Sequence, residues 1–119
     1  MFNGSILGSA LALTLVVHAA QAAPPAHFAR EQFMTRCLPV MKQRAQKFPD
    51  HVCGCLHDEA LAVVRDDDMR TAVMRNIEDT GRPGVDRESV PVNKRGEIDA
   101  TLTAIASPAM ECLYGRAER

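Results

Sequence analysis

The stretch His51-Val52-Cys53-Gly54-Cys55-Leu56-His57 places two of the four cysteines of this 119-residue chain two positions apart. Apolar residues on both sides of it recur at intervals of three and four, which is the spacing of an amphipathic α-helix. Positions two apart on a helix lie about 200° around its axis, so Cys53 and Cys55 point in different directions. Each thiol can then reach a cysteine on a different neighbouring helix.

The remaining cysteines, Cys37 and Cys112, lie in the first and the last helical patterns of the chain. Four cysteines allow three pairings. A bridge within the Cys-x-Cys pair is disfavoured, because the helix holds the two thiols apart and the bond would be strained. Two pairings stay open: Cys37–Cys55 with Cys53–Cys112, and Cys37–Cys53 with Cys55–Cys112.

Hydrophobic periodicity predicts the two helices that come first in the chain. We expect one helix over about 27–47, kinked or split at Pro39, because a proline nitrogen donates no hydrogen bond. The second helix is expected over about 50–65, with Asp50 as its N-cap. Its core positions are Val52, Leu56, Ala60, Val63 and Val64.

Two more helices are predicted in the second half of the chain. Asp66-Asp67-Asp68 offers an N-cap and first-turn acids for the third. The final helix follows the pattern Ile98, Leu102, Ile105, Ala109 and Cys112, with a bend at Ser107-Pro108. No segment shows the alternation of a strand. The fold class predicted is therefore all-α, a small four- or five-helix bundle tied by two disulfides.

The start of the chain differs from the rest, since Met1–Ala23 contain no Asp, Glu, Lys or Arg, and Ile6–Val17 form a mainly apolar run. The run is too short to span a membrane. Ala20-Gln21-Ala22 supplies the small residues that a signal peptidase accepts. We predict a secretory signal peptide over 1–22 and one periplasmic or secreted domain over 23–119, with no membrane insertion after cleavage. An oxidising compartment also favours disulfides.

Phe33-x-x-x-Cys37, followed by Cys53-x-Cys55 and a helix, resembles a loose group of small exported bacterial proteins that share this pattern. The resemblance covers about residues 28–65. It implies a disulfide-tied helical hairpin in the periplasm rather than a catalytic site. Cys112 would be the added partner for the spare thiol.

Composition excludes several classes of function. The chain has 14 Lys and Arg against 15 Asp and Glu, and this balance argues against nucleic-acid binding. Neither Ser89 nor Ser107 lies in a Gly-x-Ser-x-Gly motif, and no glycine-rich loop is placed to bind a phosphate. We therefore predict a protein that is not an enzyme and uses no cofactor.

Two alternatives concern the Cys-x-Cys segment. On a strand, His51, Cys53, Cys55 and His57 would share one face and could bind copper or zinc. A helix separates these ligands, and the histidines, His27 included, are then expected at the surface or as caps. Alternatively, Cys53 and Cys55 could serve thiol-disulfide exchange, although the spacing is not that of a Cys-x-x-Cys motif.

Residues 79–96 hold three Gly and two Pro and are predicted to form a long connection. Such loops often carry contact surfaces, and a simple crossover between two helices is the alternative interpretation. We expect residues 82–96 to bind another protein, in the manner of an immunity or inhibitor protein or a secretion accessory, and their deletion to spare folding but impair partner binding. The candidate partner-binding residues are Arg82, Asp86, Arg87, Glu88, Lys94 and Arg95.

Overall fold

The computed structural model describes residues 29–115 of the chain. This part is all-α, with no strand, and its two disulfides confirm the predicted fold class. The predicted signal peptide lies outside the described residues. The helices are α1 (Arg30–Gln43), α2 (Pro49–Val63), α3 (Asp67–Thr80) and α4 (Ile98–Tyr114), and two short 3-10 helices (Arg87–Ser89 and Val92–Glu97) lie between α3 and α4.

Helix α2 is central, and the other three helices run antiparallel to it. Phe33 of α1 packs against His57 of α2. Four residues later on α1, Cys37 is bonded to Cys53, which lies four residues earlier on α2. Helix α3 packs against both α1 and α2, while α4 packs mainly against α2. The arrangement therefore has a three-helix side, α1–α2–α3, and a two-helix side, α2–α4.

The core follows the predicted helical phase. Val52, Leu56 and Ala60 are buried along α2, and Ile105, Ala109 and Cys112 along α4. The three-helix side contributes most of the rest of the core: Phe33, Cys37, Met41, Met69, Ala72, Val73, Met74 and Ile77. The expectation for α4 was partly wrong, because Leu102 is 37% exposed.

Neither internal proline divides its helix. Pro39 lies within α1, and Pro108 within α4. The Pro39 ring faces solvent, so α1 gives up one backbone hydrogen bond without a clash against a neighbouring helix. Of the kink or split predicted at Pro39, the split is therefore wrong, and α4 is continuous through Pro108.

The starts of α2 and α3 differ from each other in their caps. Pro49 is the first residue of α2, a position where its missing N–H costs nothing, so Asp50 lies in the first turn. The prediction that Asp50 is the N-cap is wrong. Asp66 is the N-cap of α3, as predicted, and its carboxylate accepts a hydrogen bond of 3.1 Å from the Met69 N–H.

Candidate functional site

The disulfides join α2 to a different helix on each side. Cys37–Cys53 ties α1 to α2 with Cα atoms 5.9 Å apart, and Cys55–Cys112 ties α4 to α2 with Cα atoms 5.5 Å apart. Of the two pairings that the sequence left open, this is the second. Cys37 and Cys53 are fully buried, whereas Cys55 is half-buried.

His57 lies inside the fold rather than at the surface. Its ring packs against Phe33, with centroids 5.4 Å apart, and its Nδ1 is 3.1 Å from Asp58 Oδ1. Hydrogen bonds from His57 and then from Arg30 hold the pKa of Asp58 below its ordinary value. The prediction of a surface or capping role is thus wrong for His57. His51 is exposed, and His27 lies outside the described residues.

The four side chains of the metal alternative do not converge. Both thiols are bonded to cysteines of other helices, and the two imidazoles divide between solvent and core. Within residues 29–115, no three His, Cys, Asp or Glu side chains are grouped to hold a metal ion. Cys53 and Cys55 are not bonded to each other, so a disulfide within the Cys-x-Cys pair is not the state that the structure shows.

The segment between α3 and α4 is built into the fold. Val90 is 2% exposed, and Lys94 Nζ donates hydrogen bonds of 2.8 Å to both Asp66 and Asp68. These two carboxylates raise the pKa of Lys94, with Asp66 as the larger cause. Deletion of residues 82–96 would remove these contacts. It should therefore destabilise the fold, contrary to the expectation that folding is unaffected.

The other candidate partner-binding residues have different environments. Arg95 Nε donates to the Val90 carbonyl at 3.2 Å, and the Asp86 carboxylate accepts the Ser89 hydroxyl at 2.6 Å. Arg82, Arg87 and Glu88 are exposed. The predicted set therefore divides into residues with contacts inside the fold and residues that face solvent. Its role in binding a partner stays a prediction.

A cluster that the sequence analysis missed lies where α1, α3 and α4 end. Two large apolar side chains are exposed here: Met110 at 53% and Tyr114 at 74%. Arg44 and Arg82 lie beside them, and basic side chains are favourable near the negative ends of helix dipoles. We call this surface the basic-aromatic end, and its residues are Arg44, Arg82, Met110 and Tyr114.

A cleft of about 380 Å³ opens within the basic-aromatic end. Arg44 and Arg82 line it together with Pro83, and the end of α4 contributes Met110, Leu113 and Tyr114. No acidic residue is part of this lining. The cleft thus combines apolar surface with two guanidinium groups.

The backbone fixes Arg44 at the edge of the cleft. Ala45 has a positive φ of 57°, and the Gln46 N–H donates to the Met41 carbonyl at 3.0 Å, which closes α1. Arg44 Nε then donates to the Thr80 carbonyl at 2.6 Å. Gly81 permits this approach, because a Cβ at that position would lie 2.7 Å from Arg44 Cδ.

A second set of contacts fixes the backbone at Arg82. Its N–H donates to Thr80 Oγ1 at 3.1 Å, and its carbonyl accepts from Asn76 Nδ2 at 2.8 Å. The Arg82 side chain itself is exposed. Both arginines of the cleft therefore project from a well-anchored backbone.

The sequence carried one signal for this surface. Met110 falls outside the spacing that predicts the buried face of α4, and Tyr114 follows its last core residue, Cys112. Met110 is accordingly exposed, whereas Met69 and Met74 of α3 are buried.

Comparisons with protein-family models, with curated proteins and with solved structures find no match to this chain. Within residues 29–115, none of the helices has both the length and the apolar character that a membrane span requires.

Proposed function

We propose that this chain is an exported, non-catalytic protein-binding module that contacts its partner through the basic-aromatic end. The observation that carries the proposal is the exposure of Met110 and Tyr114 beside a cleft. Arg, Tyr and Met are enriched in protein interfaces, where aromatic and Arg side chains supply much of the binding free energy. The cleft gives these side chains a concave setting that a partner side chain can enter.

The covalent framework supports export as the setting for this function. Both disulfides persist in oxidising compartments, and a domain of this size gains much of its stability from such bonds. Neutralisation of a toxin, inhibition of an enzyme and assistance to a secretion system are the kinds of work proposed. Each needs a rigid surface and no catalytic group of its own.

Site-specific photo-crosslinking in the producing cell tests the proposal. A photoreactive side chain at position 114 should form a discrete adduct with one periplasmic or secreted protein. The same probe at Gln32, an exposed position near the start of α1, should form none. Equal adducts at both positions would contradict the proposal.

Binding of the purified partner then gives the quantitative test. Tyr114→Ala and Met110→Ala should each weaken binding by at least about fivefold, which is the loss of about 1 kcal/mol expected of a contributing interface residue. Gln32→Ala is the matched control and should bind as the parent does. Unchanged affinity in both cleft variants would exclude the basic-aromatic end as the binding surface.

A further inference from the structure

We infer that the basic-aromatic end binds an acidic protein segment that inserts an apolar side chain between Arg44 and Tyr114. This inference rests on the proposed function and adds the chemistry of the partner. It is based on three observations. The cleft lining contains two arginines and no acidic residue, contacts within the fold anchor the backbone at both arginines, and apolar side chains are exposed beside them.

The charge of the cleft differs from that of the chain as a whole. The full chain has a formal net charge of -1, yet the cleft lining includes Arg44 and Arg82 and no carboxylate. The acidic residues nearest to it in sequence, Asp79 and Glu111, are not part of the lining. An acidic segment is therefore attracted to this surface, and a basic one is repelled.

Both arginines have guanidinium nitrogens available for carboxylates. Arg44 uses Nε for the Thr80 carbonyl, which fixes the plane of its guanidinium group and leaves the terminal nitrogens to a ligand. A guanidinium group binds carboxylates through paired hydrogen bonds. Within residues 29–115, neither Arg44 nor Arg82 forms an ion pair with an acidic side chain.

The apolar part of the cleft favours the second feature of the partner, which is an apolar side chain. Met110 and Tyr114 leave more than half of their surface exposed beside Leu113 and Pro83. The cleft volume of about 380 Å³ lies near the lower end of the range for ligand sites, so it accommodates a side chain or a short segment. Methionine adapts its shape to such side chains.

Other occupants fit this surface less well. A two-fold dimer through the same patch would bring the arginines of one copy against those of the other. The side chains of the residues that follow Gly115, Arg-Ala-Glu-Arg, are two cationic and one anionic, so they offer no excess of negative charge to the arginines. An anionic membrane has the right sign, but a flat surface does not fill a cleft.

Selection from a random peptide library on the oxidised protein tests the inference. Enriched peptides should carry several Asp or Glu around an aromatic or aliphatic residue. Addition of one such peptide should shift the NMR amide signals of Gly81, Arg82 and Leu113 most strongly. Enrichment of basic peptides, or the absence of any charge bias, would overturn the inference while leaving a protein-binding function intact.

Charge reversal supplies the decisive variant. Arg44→Glu/Arg82→Glu should weaken binding of the selected acidic peptide by at least about tenfold, since two favourable charge contacts become repulsive. Arg65→Glu, which reverses an exposed arginine outside the cleft lining, is the matched control and should retain binding. Equal losses in both variants would overturn the inference, because net charge alone would then explain the binding.

Three further measurements address the other occupants. Binding to phosphatidylglycerol vesicles that exceeds binding to the peptide, or dimerisation that Arg44→Glu abolishes, would overturn the inference. A chain that ends at Gly115 should bind the peptide as the full chain does, and a large gain on truncation would identify the tail as the natural occupant. If no peptide is selected and the probe at position 114 forms no adduct, the proposed function fails as well.

Discussion

Helices α3 and α4 both pack against α2, but they are held there by different means. Helix α3 has six buried residues among its 14 and has no disulfide. Helix α4 has three buried residues among its 17, one of which is the disulfide cysteine Cys112. Noncovalent packing alone therefore holds α3, whereas α4 combines its packing against α2 with a covalent bond.

The difference explains how a small fold can keep so much apolar surface in contact with water. A helix held only by packing must bury its apolar residues, because burial supplies its stability. A disulfide relaxes this requirement for α4. Met110 and Tyr114 can then remain exposed and available to a partner.

Loss of the Cys55–Cys112 bond should have the largest effect. In the chain-entropy model, a bond that spans 57 residues contributes about 4 kcal/mol, and one that spans 16 contributes about 3 kcal/mol. In Cys55→Ala/Cys112→Ala we expect the amides of α4 to exchange rapidly with solvent while those of α3 remain protected. Hydrogen exchange measured by mass spectrometry checks this.

The matched control is Cys37→Ala/Cys53→Ala. It should lower protection across α1, α2 and α3 together, since it removes two fully buried sulfurs from the three-helix side. The comparison fails if α4 remains as protected without its disulfide as with it.

Truncation of one apolar side chain on each helix should give the next largest difference. Ile77 of α3 is fully buried, so Ile77→Ala should lower the free energy of unfolding by about 3 kcal/mol. Leu102 of α4 is 37% exposed, so Leu102→Ala should cost less than about 1.5 kcal/mol. Urea unfolding followed by circular dichroism measures both values. Equal losses would show that α4 is held by packing as firmly as α3.

The two disulfides should also differ in their rates of reduction. Cys55 lines an open hollow of about 310 Å³ beside Arg30 and His51, whereas Cys37 and Cys53 are fully buried. Exchange with a small thiol needs access to sulfur, so Cys55–Cys112 should be reduced at least about tenfold faster. Alkylation of the free thiols and peptide mass analysis at successive times would measure both rates. Simultaneous release of all four thiols would contradict the expected order.

The smallest effect concerns the start of α3 and its dependence on pH. Hydrogen bonds from Lys94 and then from the Met69 N–H lower the pKa of Asp66 below its ordinary value of 3.8. A lowered folded-state pKa stabilises the fold above that ordinary value, and this stability is lost as the pH falls through the folded pKa. We therefore expect the contact of Lys94 with α3 to weaken in acid below about pH 4.

Carboxyl NMR titration of Asp66 checks the charge contribution. In Lys94→Gln the pKa of Asp66 should rise towards its ordinary value, because the largest cause of its lowering is gone. Arg87→Gln, which changes an exposed residue, should leave that pKa unchanged. Helix α4 has no side-chain cap and should keep its amide protection over the same pH range.

The sequence predicted the helical phase well because apolar spacing depends on one helix at a time. Val52, Leu56 and Ala60 lie on one face of α2 whatever packs against it. The disulfide pairing needed more, since Cys53 and Cys55 differ by only about 3 Å along the helix axis. Cys37 could reach either thiol at its position along the axis of α2. The packing of α1 against α2 determines which of the two forms the disulfide with Cys37.

The candidate site was harder to predict for the same reason. Met110 falls outside the predicted buried face of α4, but its place beside Arg44 and Arg82 depends on how the ends of α1, α3 and α4 meet, which no local pattern records. Lys94 was predicted as a partner-binding residue, yet it binds Asp66 and Asp68 from more than 25 residues away along the chain. Contacts between such distant positions arise from tertiary structure and leave little trace in spacing.

The Cys55–Cys112 bond also determines whether the fragments of this molecule separate after proteolysis. Arg87 exposes a site for trypsin-like cleavage between α3 and α4. Hydrolysis after Arg87 would cut the main chain, but the two fragments would stay joined by sulfur across α2 and α4. A nicked molecule of this kind keeps its mass, apart from one added water, until a reductant separates the pieces.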